Sequence, residues 1–118
     1  MKGGTRMHTI EFSNDNEVVR MVIGGADRER LELMIDERRV TIYVKAYLDF
    51  GEAFAKAFHS LKGTAALRDV EGQYVMDVTF SHRGVSVRLH DPFPKKTLQT
   101  DQSYMTETMR QIGIWNRL

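Results

Sequence analysis

With 118 residues, 42% of them apolar and 28% charged, the chain can bury one hydrophobic core and is too short to divide comfortably into two domains. Lys and Arg number 17 against 16 Asp and Glu, a net charge of +1 that excludes a general field drawing the protein to polyanions or membrane surfaces. With no cysteine there is neither a disulfide framework nor a thiolate metal site, a composition that suits a reducing cytoplasm.

The start, Met1 to Arg6, carries charge but no apolar run of signal-peptide length follows it, so a Sec-type signal is not expected. Residues 1–6 read as a less ordered tail. Apolar runs along the chain extend for a few residues only, where a membrane-spanning helix needs about 20. The expectation is a single domain over 1–118, cytoplasmic and not membrane-bound.

From His8 to Phe12 the pattern alternates, with Ile10 and Phe12 on one face, as in a half-buried strand. Ser13 to Asn16 is turn-rich, and Val18 to Ile23 forms a second strand that Gly24-Gly25 closes. Arg30 to Asp36 and Arg39 to Leu48 read as a hairpin with an even loop around Glu37-Arg38. That register sets Ile35 against Val40, Leu33 against Ile42 and Leu31 against Val44. A helix follows, capped by Asp49 with Glu52 three residues on, striped by Phe50, Phe54, Ala57, Phe58 and Leu61, and stopped by Gly63.

Ala66 to Val70 is a short strand. Tyr74 to Ser81 and Val85 to His90 make a further hairpin whose even loop at His82-Arg83-Gly84 places Asp77 opposite His90 and Thr79 opposite Arg88. Pro92 and Pro94 make 91–96 a loop, Thr97 to Gln99 adds a short edge strand, and Thr100 or Asp101 caps a last helix with a Met105, Met109, Ile112 stripe ending at Gly113. Residues 114–118 are a tail, and no internal repeat is visible. The order ββββαβββ(β)α predicts an α+β fold: a mainly antiparallel, curled sheet of about six to seven strands with two helices packed on one face.

No motif supplies an enzyme's chemistry. The four histidines, His8, His59, His82 and His90, lack the spacing that converges ligands on a metal, and read as solvent-exposed. Neither glycine pair forms a phosphate-binding loop, and no G-x-S-x-G elbow occurs. Asp77 and His90 suggest acid–base work, but as a pair without a nucleophile they read as a charge pair on a wet sheet face. No cofactor or metal is expected.

Tyr43, Lys45 and Tyr47 alternate on the outward face of the fourth strand, where aromatic and cationic groups would anchor a partner or stack bases, or simply lie under a loop or helix. Met105 and Met109 fit a core stripe better than an adaptable surface. Trp115, beyond the helix stop, either packs back on the domain or anchors a partner.

The run Leu61-Lys62-Gly63-Thr64-Ala65-Ala66-Leu67, then Val70-Glu71-Gly72, the hairpin from Tyr74 to Leu89 with its Arg83-Gly84-Val85 turn, and Leu98-Gln99-Thr100-Asp101-Gln102-Ser103-Tyr104-Met105 can be compared with known proteins. Mainly over residues 61–112, the chain resembles the WapI-type family of small bacterial proteins, which includes immunity proteins that protect a cell from a secreted or contact-delivered toxin. Val85 departs from the His that commonly follows the turn glycine there. The resemblance implies a binding protein and brings no catalytic residue with it.

The leading expectation is a non-catalytic module that binds another protein, a toxin domain among the candidates, through Tyr43, Lys45 and Tyr47, the helix start at Asp101 and Tyr104, or Trp115. Alternatives are a small-ligand binder with a cavity between sheet and helices, a single-strand nucleic-acid binder using Tyr43, Lys45 and Tyr47, and a mobile-element cargo protein. The charge balance speaks against nucleic acid, and an exposed edge strand leaves room for a homodimer.

Overall fold

The computed structural model describes residues 8–90, 93 and 95–113. The expected tails at 1–6 and 114–118, Trp115 included, lie outside the described residues.

Four strands, β1 (His8–Ser13), β2 (Val18–Ala26), β3 (Arg30–Ile35) and β4 (Arg38–Tyr43), lead into helix α1 (Val44–Ser60). Four more, β5 (Gly63–Arg68), β6 (Tyr74–Ser81), β7 (Gly84–Leu89) and β8 (Lys96–Thr100), lead into α2 (Gln102–Ile112). The antiparallel α+β character matches the sequence reading. The single sheet of six to seven strands does not: the strands form two four-stranded sheets, β1-β2-β3-β4 and β5-β6-β7-β8. α1 stands between β4 and β5 in the chain, and those two strands never pair, so the sheet divides there. The topology repeats the unit ββββα where the sequence shows no repeat.

The helices are exchanged between the halves. α1 lies along β5 of the second sheet, and α2 along β1 of the first. A strand edge carries unpaired amide and carbonyl groups that must find partners when covered. Along β1 they find α2: the Glu11 amide donates to Gln111 Oε1 at 2.7 Å, and Thr108 Oγ1 donates to the Glu11 carbonyl at 2.6 Å. The two sheets meet where Thr100 Oγ1 donates to the Ser13 carbonyl and Asn14 Nδ2 to that of Gln99. At β4 the Val70 amide donates to the Thr41 carbonyl. These contacts satisfy some of the backbone groups that the strand edges would otherwise expose.

Phe54 joins the halves. Its ring makes edge-on contacts with Phe12 of β1, centroids 6.2 Å apart, and with Phe80 of β6, 5.4 Å apart, and Phe50 packs beside it. Buried side chains from both sheets and both helices form one hydrophobic cluster. Such edge-to-face pairs add about 0.5–1.5 kcal/mol each beyond area burial.

Both hairpin registers differ from the expected ones, in the same way. The β3–β4 turn is Asp36-Glu37, so Leu33 pairs with Val40 and Leu31 with Ile42. The β6–β7 turn is His82-Arg83, so Asp77 pairs with Arg88 and Thr79 with Ser86. Each turn sits one residue earlier in the chain than the sequence reading placed it. Moving a turn by one residue slides the pairing by two, which leaves every side chain on its original face. The inward pattern of β7, Val85, Val87 and Leu89, survives unchanged. Turn chemistry decides between such registers: Asp36 and Glu37 take φ of 46° and 72°, the left-handed pair that a tight two-residue hairpin loop requires. Gly84 is not a turn residue. It opens β7 at φ +121°, where an added Cβ would lie 2.7 Å from the Thr100 carbonyl oxygen.

Other boundaries also move. β2 runs through Gly24 and Gly25 to Ala26, with an irregularity in its pairing to β3 at that point, where glycine is tolerated. β5 begins at Gly63 and ends at Arg68, so Gly63 is not the helix stop; Leu61, at φ 64°, ends α1. α2 follows the sequence reading, with Asp101 as N-cap and Gly113, at φ 80°, as its left-handed end.

Candidate functional site

The largest departure lies at the start of α1. The helix opens at Val44, not after Asp49, because the stripe of Phe50, Phe54 and Ala57 extends one turn earlier to Tyr47. Tyr47 is buried, and its hydroxyl donates to the Ile112 carbonyl at 2.8 Å, tying the start of α1 to the end of α2. Burial pushes the Tyr47 phenol up to about 12. Tyr47 is therefore a structural residue and not part of an outward strand face. Asp49 caps nothing: it pairs with Lys45 one helical turn earlier, at 3.1 Å.

Tyr43 remains on the surface, 42% exposed, as the N-cap residue of α1. Its side chain caps no amide, and the first amide, of Val44, donates to the Glu29 carbonyl at 2.7 Å. Leu48, 44% exposed, lies off the buried stripe on the same end of the helix. Together with Val44, Ala46 and Val70 they line an open cleft of about 670 Å³, whose lining also includes Arg28, Lys45 and Arg68 and the carboxylates Glu29, Asp49 and Asp69. The β5–β6 turn contributes Asp69, Val70 and Gly72 to the lining. There the Asp69 carboxylate accepts from the amides of Glu71 and Gln73, and Gly72 at φ 85° lets the chain reverse.

The sequence-named residues thus separate. Tyr43 and Lys45 come together at the cleft. Asp101 and Tyr104 sit at the start of α2, which meets the end of α1 through Gln102 Nε2 and the Phe58 carbonyl. Since the Tyr47–Ile112 bond joins the other ends, the helices run antiparallel, and Val44 and Phe58 are roughly 20 Å apart at the helical rise per residue. Asp101 and Tyr104 are also engaged locally. The hydroxyl and amide of Ser103 hold the Asp101 carboxyl below its ordinary range, and a hydrogen bond to Asp15, with the negative charge it brings, raises the Tyr104 phenol.

Leu48, Val70, Arg28 and Arg68 escaped the sequence reading. Leu48 carried a usable signal: once Tyr47 joins the stripe, an apolar residue at the next position is out of phase and must face away from the core. Val70 and Arg28 come close only through the tertiary fold.

Asp77 overturns another expectation. Its residue is 7% exposed, not on a wet face, and its carboxylate takes Arg88 Nε at 3.2 Å, Arg88 Nη2 at 3.3 Å and His90 Nε2 at 2.6 Å. Arg88 is the directly opposite partner and His90 the diagonal one. Among the described residues no hydroxyl hydrogen-bonds the His90 ring, so the pair lacks a nucleophile to activate. His8, His59 and His82 are exposed and His90 half-buried, and among the described residues no three metal-ligating side chains gather. Among them, too, no helix is long and apolar enough to cross a membrane.

The space between sheets and helices where a small ligand was a candidate is filled by the buried cluster, and the cleft lies outside it. No family model, no curated protein and no solved structure matches the chain.

Proposed function

We propose that the protein is a non-catalytic binding module that docks another protein on the cleft at the head of α1. One observation carries the reading. Tyr43 and Leu48, two of the few large apolar side chains left exposed among the described residues, lie against one apolar cleft although a buried core was within reach of both elements. Aromatic and aliphatic side chains held on rigid elements beside a pocket are the usual anchors of protein interfaces. The WapI-type resemblance supplies a specific version, an immunity protein that occupies a toxin domain.

The test is titration calorimetry against toxin domains encoded next to the gene, with wild type and a Tyr43→Ser/Leu48→Ser double variant. Binding that falls at least about tenfold in the variant supports the proposal, a loss of ~1.4 kcal/mol. Binding that is unaltered removes the cleft, and an absence of any binding removes the immunity reading. The cleft's volume of about 670 Å³ also favours a second reading, a small-ligand site, because such sites span roughly 300–1,000 Å³. A fragment screen by NMR in which no compound shifts the Tyr43 and Leu48 resonances would dismiss it.

A further inference from the structure

The docking cleft does not end at its rim. Arg68, on its edge, lies with its guanidinium carbon 4.4 Å from the centre of the Tyr74 ring and donates to the Tyr74 hydroxyl. Tyr74, 48% exposed, is in turn a wall of a second groove of about 440 Å³, lined by Arg88, His90, Lys95 and Lys96 at one end of the second sheet. The two hollows share a ridge made of one stacked pair.

Their charges differ. The described lining of the first cleft has three cations and three carboxylates. Among the described residues, the second groove is lined by the cations Arg88, Lys95 and Lys96 with the His90 imidazole beside them, and by no carboxylate. Asp77 engages Arg88 through Nε and Nη2, and among the described residues Nη1 has no hydrogen-bond partner. Asp36 takes Lys96 at 3.3 Å. Among the described residues neither Arg68 nor Lys95 has an ion pair, and both are exposed. The buried Asp77 fixes the Arg88 side chain in place, so less order is lost when that guanidinium meets an anion.

We infer that the protein's partner presents an apolar side chain flanked by carboxylates, the apolar group entering the cleft between Tyr43 and Leu48 and the carboxylates meeting Arg68, Arg88 and Lys95. This rests on the docking reading above and narrows it. Asp77 and Asp36 offset Arg88 and Lys96, and the positive charge that remains among the described residues, at Lys95 and at Arg68 on the ridge, favours acidic partners over basic ones. A toxin recognised in this way is held by an acidic surface and not by a basic substrate cleft. Tyr74, the one exposed phenol ring among the groove's described residues, already has Arg68 on one face, which favours a peptide over a run of stacked bases.

The experiment uses the full chain and three fluorescein-labelled probes: a blocked peptide of Glu and Asp around a central Leu-Phe pair, the same peptide with Lys in place of each acid, and a short oligothymidylate. Fluorescence anisotropy is read for wild type, for an Arg68→Glu/Lys95→Glu variant and for Tyr43→Ser/Leu48→Ser. Both pairs of sites are exposed, so folding is checked simply by circular dichroism. The inference expects the acidic peptide to bind best, to weaken about tenfold in the charge-reversed variant, and to be replaced there by the Lys peptide.

If both peptides bind wild type equally, and only Tyr43→Ser/Leu48→Ser weakens them, the charge inference is overturned while the docking cleft stands. If peptides bind but no substitution at Tyr43 and Leu48 matters, the docking reading fails with it. Preferential binding of the oligothymidylate, or no binding of any probe, also overturns the inference.

Discussion

The two helix starts differ in a way that separates structure from function. α2 begins with its own cap: Asp101 accepts from the Ser103 amide, and Tyr104 reaches back to Asp15. α1 begins at Tyr43, which caps no amide and exposes its ring beside Leu48. In the first case the local sequence satisfies the helix end, and in the second it leaves an apolar cleft. A residue that forgoes a cap worth about 0.5–2 kcal/mol in favour of an exposed aromatic is a candidate for selection by binding.

The contrast presumes that both helices share one core, and the largest predicted effect tests that. Phe54→Ala removes the ring that touches Phe12 and Phe80, and is expected to cost about 3–5 kcal/mol. Urea unfolding followed by far-ultraviolet and by near-ultraviolet circular dichroism should give one coincident transition at lower midpoint. Two separate transitions would mean that the ββββα halves are independent.

The next effect concerns the bond that ties the helices. Tyr47 titrates in the folded state at about 12, above its ordinary value near 10. The unfolded chain therefore loses this proton first as pH rises, so the contribution is intact below pH ~10 and is lost toward pH ~12, about 2–3 kcal/mol in all. Tyr47→Phe removes that dependence. It also costs about 1–2 kcal/mol at neutral pH by leaving the Ile112 carbonyl without its donor. Denaturation of wild type and variant at pH 7 and pH 11 measures both terms.

How much of this was legible follows from the physics of each element. Alternation gave the inward faces of β3, β4, β6 and β7, because a face is set by period two and survives a two-residue slip. The registers were not legible, because Glu37 in a left-handed conformation and Gly84 beside the Thr100 carbonyl are determined by local geometry that hydrophobic patterning does not encode. Val44 to Leu48 reads equally as the end of a strand or the start of a helix, and the Tyr47 hydroxyl bond to a residue 65 positions away favours the helix. The capping signals of α2 were local and could be read. Of the candidate site, Tyr43 and Lys45 were visible in the sequence; Leu48, Val70 and the Arg68–Tyr74 ridge needed the fold.

The smallest expected effects sharpen the contrast at its open end. Tyr43→Ala should change stability by no more than about 0.5 kcal/mol, since the side chain is exposed and caps nothing. In thermal melts it should be indistinguishable from wild type, whereas Asp101→Ala should lower the midpoint measurably by uncapping α2.

One substitution sets the two properties against each other. Tyr43→Asp gives α1 the kind of cap that Asp101 gives α2, in an extended backbone conformation, φ −78° and ψ 147°, suited to it. Thermal melting and anisotropy with the acidic Leu-Phe peptide are measured on the same sample. A variant that melts higher and has lost the peptide is the predicted result, and one that binds it as tightly as wild type would contradict the assignment of this cleft as the docking surface.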